Sequence, residues 1–165
     1  RKKIRMRAKQ IAKAIIKCFE NGGKVLIFGC GGSASMSNHM AAELVGKVMT
    51  ERAPISAISL SSNNALLTAI SNDFGFDFVF YRQVQALANP NDVIIGISTS
   101  GKSHSILNGL SLAKDLGCTT IDFPRHGEYV TEIQEYQLKL MHEICLIVEE
   151  HMVNIDHAFR RDIEH

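Results

Sequence analysis

Gly96-Ile97-Ser98-Thr99-Ser100-Gly101-Lys102-Ser103 is the stretch of sequence from which the fold can be worked out. An unbroken apolar run, Val93–Ile97, leads into it and is typical of a buried parallel strand. Apolar residues at helical spacing follow it, namely Ile106, Leu107, Leu110 and Leu112. The stretch is therefore predicted to be a strand-to-helix turn, which gathers backbone N–H groups at the positive end of a helix dipole. Four hydroxyls add further donors, so we expect the turn to bind a phosphate monoester (Ser98, Thr99, Ser100 and Ser103).

The same eight residues also satisfy the pattern G-x-x-x-x-G-K-[ST] of nucleotide-binding P-loops. In that interpretation Lys102 contacts the phosphates and Ser103 binds magnesium. The context favours it less, because the turn follows the third predicted strand and little chain remains for a nucleotide-hydrolysing core. Asp122 is a weak candidate for the acid that orders magnesium. The many hydroxyls suit a sugar phosphate better.

Length and composition indicate a single globular domain. The 165 residues are 45% hydrophobic and 21% charged, and the formal net charge of +1 argues against a dedicated nucleic-acid-binding protein. The four cysteines lack C-x-x-C spacing, so we expect reduced thiols rather than disulfides or a cysteine-rich zinc site. Since no apolar run could span a bilayer and no signal-peptide core begins the sequence, we expect a cytoplasmic protein without membrane contact.

The first part of the chain predicts a helix, a strand and a glycine-rich turn. Residues 1–20 carry one apolar stripe, and their basic face is expected to be solvated rather than to bind nucleic acid or membrane. After a strand over residues 24–28, three glycines in Gly29–Ser33 allow the backbone to approach a ligand closely. Ser33 lies where a helix N-cap would stand. A turn needed only for packing is the alternative.

His39 and Glu43 lie four residues apart on a helix predicted from Ala34 to about Gly46, so they share one face. They can present an imidazole and a carboxylate to a metal ion or a substrate, or simply hydrogen-bond to each other at the surface. The start of this helix at the glycine turn favours a functional role, because open α/β sheets bind ligands at the carboxyl ends of their strands.

Three further polar residues are candidates for function. Asp73, in a polar loop predicted over residues 71–75, either forms a turn or contacts a sugar hydroxyl. Gln134 and His142 lie on a long helix predicted from Thr131 to about Met152, roughly 12 Å apart along its axis. They could contact one ligand only from opposite sides of it, and spacing alone leaves His142 a structural histidine.

The order of elements predicts the fold class. Strands over residues 24–28, 55–60, 93–97 and 119–123 alternate with helices, as in a three-layer α/β/α doubly wound parallel sheet of the flavodoxin-like kind, here with a long N-terminal helix. We expect one domain over residues 1–165, made of an N-terminal packing helix (1–23), an α/β core (24–152) and a frayed polar tail (153–165).

Four stretches, in order, resemble a known family: GCGGSASMSNHMAAEL (29–44), AISNDFGFDFVFYRQV (69–84), NDVIIGISTSGKS (91–103) and TEIQEYQLKLMHEICLIVE (131–149). Over about residues 22–150 the chain resembles the SIS (sugar isomerase) domain, and specifically the phosphoheptose isomerases. The resemblance implies conversion of sedoheptulose 7-phosphate to D-glycero-D-manno-heptose 7-phosphate through an enediolate. It also implies a role in heptose nucleotide and surface-glycan synthesis, such as that of lipopolysaccharide or capsule.

The resemblance also implies roles for individual residues. Glu43 and His142 match the acid and base pair, with Glu43 as base, and Asp73 would contact the substrate. The phosphate and nearby sugar oxygens would be held by Ser33, Ser98, Thr99, Ser100 and Ser103. A zinc ion, one per subunit, would be bound by His39, Glu43, Gln134 and His142. The family further implies a homotetramer whose active sites are shared between subunits, with Gln134 also near the substrate.

The chain departs from the family pattern at Cys30, Met36 and Lys102, where asparagine, aspartate and asparagine are usual. Between Phe123 and Pro124 the family has a glycine-bearing loop and another strand. We favour a mobile segment omitted between these two residues over the loss of one sheet edge. A non-enzymatic SIS protein, such as a replication-initiator-associating protein, is the alternative function, although those relatives lack the Glu and His pair.

Overall fold

The computed structural model describes the backbone of residues 2–163 and the side chains of residues 2–156. Strands and helices alternate along this part of the chain, as predicted. A short 3₁₀ helix, Phe76–Phe78, joins the third α-helix to the fourth. The elements are α1 (Lys2–Glu20), β1 (Val25–Gly29), α2 (Gly32–Val45), β2 (Ala57–Ser59), α3 (Asn64–Phe74), α4 (Val79–Leu87), β3 (Val93–Ile97), α5 (His104–Asp115), β4 (Thr119–Asp122) and α6 (Val130–Ile163).

The four strands form one parallel sheet in the order β2-β1-β3-β4. After β1 the chain adds a strand on one side, and after β3 it adds a strand on the other. The order therefore reverses between β1 and β3, where Gly29 pairs with Ile97 at the carboxyl ends. Such a reversal opens a crevice in which α/β proteins bind ligands. The predicted doubly wound fold is confirmed.

Helices cover both faces of the sheet and give the predicted three layers. Side chains of successive strand residues point to opposite faces, so Ile27 packs with α1, α2 and α6, whereas Leu26 and Phe28 pack with α3, α4 and α5. All three side chains are fully buried. The helices α1, α2 and α6 form one of the outer layers. Ile15 of α1 is part of its core, so the apolar stripe of the N-terminal helix packs within this chain. The sheet thereby becomes a rigid platform for the loops at its edge.

Asp73 lies in a helix and not in the loop predicted over residues 71–75. The side chain of Asn63 caps α3 by accepting a hydrogen bond of 3.1 Å from the N–H of Leu66. The helix then continues through residues 71–74 and ends at Gly75, whose φ of 92° favours glycine. The glycine, and not the polar residues before it, stops the helix.

The last helix is longer than predicted. It continues past Met152 to Ile163, so residues 154–163 are helical rather than part of a frayed tail, and residues 164–165 lie outside the described part. No glycine or proline occurs between residues 130 and 163, so the sequence holds no strong stop signal. None of the described helices, α6 included, is both long and apolar enough to cross a membrane.

The chain is continuous between Phe123 and Pro124, so the expectation of an omitted mobile segment is wrong. The N–H of Phe123 bonds to the carbonyl of Gly96 at 2.9 Å, and its side chain is fully buried. A loop over residues 124–129 then leads directly into α6. Among the described strands β4 pairs with β3 alone, and it forms the edge of the sheet.

Candidate active site

Two strand-to-helix turns meet at the carboxyl edge of the sheet. The glycine turn after β1 and the serine-rich loop after β3 (residues 98–103) adjoin because their strands are neighbours. A contact of 3.6 Å between Cys30 Sγ and Ser105 Oγ links the first turn to α5. The two turns predicted to hold a phosphate are therefore brought together, at the point where strand order reverses.

Internal hydrogen bonds give the serine-rich loop a fixed shape. Ser98 Oγ accepts from the N–H of Gly101 at 3.0 Å, and Ser100 Oγ accepts from the N–H of Lys102 at 3.1 Å. Ser103 precedes α5, and its hydroxyl lies 3.2 Å from that of Ser105. Ser98 is buried, Thr99 and Ser103 are partly buried and Ser100 is exposed. The side chains of the loop thus set its backbone conformation.

The glycine turn differs in detail from the prediction. Helix α2 begins at Gly32, two residues before the predicted start, with Gly31 as its N-cap at a φ of 59°. Ser33 is therefore inside the helix and does not cap it, and it is 5% exposed. Gln134 of α6 covers this helix start, because a Cβ built on Gly32 would lie 2.6 Å from Gln134 Nε2. Gln134 and the glycine turn are therefore neighbours.

Gln137 of α6 hydrogen-bonds to the backbone of the serine-rich loop, a role that the sequence did not indicate. Its side chain is fully buried on α6, and its Nε2 donates a hydrogen bond of 3.0 Å to the carbonyl of Ser98. Its Oε1 has no hydrogen-bond partner among the described residues. The available signal was a polar side chain at a core position of an amphipathic helix, and such residues usually serve a buried partner.

His39, Glu43 and His142 converge from two helices into one cluster. One ligand atom from each residue lies within 4.8 Å of the others. His39 Nε2 and Glu43 Oε1 of α2 are 3.0 Å apart, and the rings of His39 and His142 meet edge-on with centroids 5.1 Å apart. All three remain at least partly accessible to solvent. The packing of α6 against α2 supplies His142, whose role spacing alone could not indicate.

The donor set of this cluster fits a zinc ion. Two imidazole nitrogens and one carboxylate oxygen are ligand types that zinc takes in catalytic sites, where three protein ligands leave one position for water or substrate. Gln134, the fourth predicted ligand, contacts Gly32, whereas His142 contacts His39 seven residues further along α2. Within one chain these two contacts lie about 10 Å apart along the helix. A single subunit therefore supplies three of the four predicted ligands.

Asp73 makes no hydrogen bond to either turn among the described residues. It is exposed in the last turn of α3 and accepts a hydrogen bond of 2.9 Å from Asn72.

Arg125 places a fixed positive charge beside the serine-rich loop. Its guanidinium donates two hydrogen bonds of 2.7 Å to the carboxylate of Asp122 and covers Gly101. Hydrogen bonding to Asp122 raises the pKa of Arg125, so the charge persists. The pairing also occupies the carboxylate that the P-loop interpretation needs for magnesium. This use of Asp122 weakens the P-loop interpretation.

Comparison with known proteins identifies the family. The family model for the SIS domain matches residues 2–123. The chain is 45% identical to a phosphoheptose isomerase of Aquifex aeolicus over 156 residues, covering 85% of this chain and 82% of the relative. It is 43% identical to a phosphoheptose isomerase of Helicobacter pylori over 162 residues, covering 88% of this chain and 84% of the relative. A phosphoheptose isomerase structure from Francisella tularensis has a TM-score of 0.83 at 33% identity, covering 87% of this chain and 85% of that one. One from Neisseria gonorrhoeae has a TM-score of 0.79 at 31% identity, covering 88% and 93%. This chain, an enzyme, belongs to the phosphoheptose isomerase family of SIS-domain proteins.

Proposed function

We propose that this chain converts sedoheptulose 7-phosphate to D-glycero-D-manno-heptose 7-phosphate, for heptose nucleotide and surface-glycan synthesis. The observation that supports the proposal most is the convergence of His39, Glu43 and His142 within 4.8 Å, from helices far apart in sequence. Proton transfer in a sugar phosphate needs a carboxylate and an imidazole of this kind near a site that grips the phosphate.

Isomerisation of a ketose to an aldose moves a carbonyl from C2 to C1. In the proposed mechanism the carboxylate of Glu43 removes a proton from C1, which leaves a cis-enediolate, and then delivers a proton to C2. The imidazole of His142 takes the proton from the oxygen on C1 and gives one to the oxygen on C2, because imidazole titrates near neutral pH. The serine-rich loop and Ser33 hold the phosphate and so keep the two carbons beside Glu43.

We infer that the cluster binds one zinc ion per subunit through His39, Glu43 and His142, with Gln134 of a neighbouring subunit as the fourth ligand. Bound zinc would polarise the carbonyl and stabilise the negative charge of the enediolate. A carboxylate has two oxygens, so Glu43 can bind through one and exchange a proton through the other. Loss of metal should therefore lower kcat more than it raises the KM of the sugar phosphate.

The length of α2 supports a seven-carbon substrate. The glycine turn lies at Gly32, where α2 begins, and His39 lies seven residues further along, which corresponds to about 10 Å of helix axis. An extended seven-carbon sugar with a terminal phosphate spans a comparable distance, whereas five- and six-carbon sugars are shorter. We therefore expect kcat/KM to fall from heptose to hexose to pentose phosphates, measured under identical conditions.

A homotetramer with shared active sites accounts for two residues that one chain leaves apart from the cluster. Gln134 and Asp73 both lie away from His142 in the same chain. Beside Asp73 three phenylalanines are exposed, Phe74, Phe76 and Phe78, by 50%, 54% and 42%. Exposed apolar side chains this close together are typical of interaction surfaces. A neighbouring copy seated there would cover them and bring Asp73 to another subunit's site.

The function is tested with Glu43→Gln and a matched control. Glu43→Gln should lower kcat with sedoheptulose 7-phosphate by at least ~10²-fold, because the amide cannot act as a base. Glu150→Gln, an exposed glutamate on α6, should retain full activity. An inactive parent protein that still binds sugar phosphate would favour the non-catalytic alternative, and unchanged turnover in Glu43→Gln would disprove the assigned base.

Sharing of sites between subunits has its own test. Glu43→Gln and Gln134→Ala chains are each expected to be inactive, but co-expressed they should form mixed oligomers in which some sites have both native residues. Activity should return in that mixture. Co-expression of Glu43→Gln with His142→Ala is the control, since both residues belong to the cluster of one chain and no mixed site is complete. No recovery in the Glu43→Gln and Gln134→Ala mixture would contradict shared sites, and recovery in the control would contradict a cluster formed within one chain.

A further inference from the structure

Arg52 and Glu149 form a buried charged pair at the C-terminal end of α2, outside the proposed chemistry. Their side chains are only 1% and 4% exposed, and Arg52 Nε lies 3.9 Å from Glu149 Oε2. Buried charges are costly unless protein groups replace the water they lose. Here those groups are carbonyls at the end of α2 for Arg52 and backbone N–H groups of the segment after α2 for Glu149.

Arg52 holds the end of α2 at Glu43 itself. Its Nη2 donates a hydrogen bond of 2.7 Å to the carbonyl of Glu43, and its Nη1 donates one of 2.8 Å to the carbonyl of Leu44. These carbonyls belong to the last turn of α2, where the final four have no partner within the helix. A guanidinium at this negative end of the helix dipole is also favourable. Arg52 thus fixes the backbone position from which the Glu43 side chain projects.

Glu149 ties the segment after α2 to α6. Its carboxylate accepts hydrogen bonds of 2.7, 2.8 and 2.8 Å from the backbone N–H groups of Val48, Met49 and Thr50. Glu149 lies seven residues, or about two helical turns, after His142 on α6. One segment, residues 46–52, is therefore fastened to α2 through Arg52 and to α6 through Glu149.

We propose that Arg52 and Glu149 are positioning residues, a clamp that sets the separation of α2 and α6 and so places His39 and Glu43 against His142. The proposal rests on the proposed function for its catalytic consequence. The cluster depends on both helices, whereas the serine-rich loop lies between β3 and α5 and shares one hydrogen bond with α6, from Gln137. Loosening the clamp should therefore impair metal binding and turnover, but leave the phosphate grip largely intact.

The test uses Glu149→Gln in the full-length chain, titrated with Zn²⁺ and with inorganic phosphate and assayed for turnover. Glu149→Gln should weaken Zn²⁺ binding and lower kcat by about 10–100-fold, the range found when groups that orient metal ligands are lost. Phosphate affinity should stay within about twofold of the parent. His142→Ala, titrated in parallel, identifies the cluster as the zinc site. Should Glu149→Gln fail to fold, Arg52→Lys keeps the charge but loses the planar guanidinium whose two Nη atoms reach the two carbonyls, and the same changes are expected.

Asp92→Asn is the matched control for loss of stability. Asp92 is also a buried carboxylate, and it accepts hydrogen bonds from the backbone N–H groups of Lys24 and Asn89 and from Lys24 Nζ. It lies at the amino ends of the strands, opposite the candidate site. The proposal is overturned if Glu149→Gln lowers the melting temperature as Asp92→Asn does, yet keeps parental zinc affinity and kcat. If the parent binds zinc but lacks isomerase activity, the proposed function fails and zinc affinity alone decides the clamp. If the parent isomerises the sugar phosphate without binding zinc, the effect of Glu149→Gln on kcat alone decides whether the clamp acts as proposed.

Discussion

Replacing Gly101 by alanine tests how the serine-rich loop is held in shape. Gly101 has a φ of +68°, and a Cβ built there would lie 2.8 Å from Cζ of Arg125. Both the backbone conformation and the neighbouring guanidinium therefore oppose a side chain. We expect the two effects to be separable, because one belongs to the loop and the other to Arg125.

The expected loss in the free energy of unfolding is the sum of these two contributions. A left-handed backbone costs a residue other than glycine about 1–2 kcal/mol. The steric overlap falls on the far end of a flexible side chain, so Arg125 moves and its two bonds to Asp122 are strained or lost. That pair is partly exposed, so its loss costs up to about 1 kcal/mol. Gly101→Ala should therefore lower the free energy of unfolding by about 1–3 kcal/mol, or the melting temperature by about 2–12 °C.

Urea unfolding of the parent, the two single variants and the double variant measures both contributions. With Arg125→Ala present the overlap is gone, and Gly101→Ala should cost only its backbone contribution. The difference between backgrounds is the coupling energy, expected to be up to about 1 kcal/mol. Displacement of the loop should also raise the KM of the sugar phosphate. A cost below about 0.5 kcal/mol in both backgrounds would refute the backbone argument, and equal costs would refute the contact with Arg125.

Three further outcomes are expected. Burial raises the pKa of Glu149, but three backbone N–H groups and the nearby guanidinium lower it more. The ionised carboxylate therefore stabilises the folded protein above about pH 4.3, and this stabilisation is lost as pH falls through the folded-state pKa. The urea midpoints of the parent and of Glu149→Gln should accordingly converge towards low pH. Burial raises the pKa of Cys145 to about 12, so native protein at about pH 8 should resist iodoacetamide at Cys145 while the partly exposed Cys30 reacts, as mass spectrometry would show. Gly32→Ala should keep the unfolding free energy within about 1 kcal/mol but displace the Gln134 amide and lower turnover, as urea unfolding and the isomerase assay would show.

The sheet and its turns could be predicted because local signals there agree. Val93–Ile97 is an uninterrupted apolar run followed by a turn rich in glycine and serine, and the observed strand has the predicted bounds. The same reasoning misplaced the end of α3, because polar residues at positions 71–73 are compatible with both loop and helix. The φ of Gly75, which decides the matter, depends on the chain that follows.

The candidate site could be predicted only in part, because its residues meet through tertiary packing. Spacing placed His39 and Glu43 on one face, but it left His142 a structural histidine, and only resemblance to a family assigned it a role. Gln137 and Glu149 received no role at all. Gln137 hydrogen-bonds to a backbone group 39 residues away in sequence, and Glu149 to backbone groups about 100 residues away. No local sequence pattern predicts such a partner.

Helix α2 links the two halves of the candidate site. Its first residue, Gly32, contacts Gln134 of α6. Seven residues later on α2, His39 contacts His142, which lies eight residues after Gln134 on α6. Helices α2 and α6 therefore run side by side in the same direction at nearly equal steps. The glycine turn lies at the start of α2, and the proposed Arg52 and Glu149 clamp holds its end. Any sliding of α2 along α6 would thus change both the distance from the proposed phosphate site to Glu43 and the fit of His142, so in our proposal the buried charges of the clamp fix a geometry on which both depend.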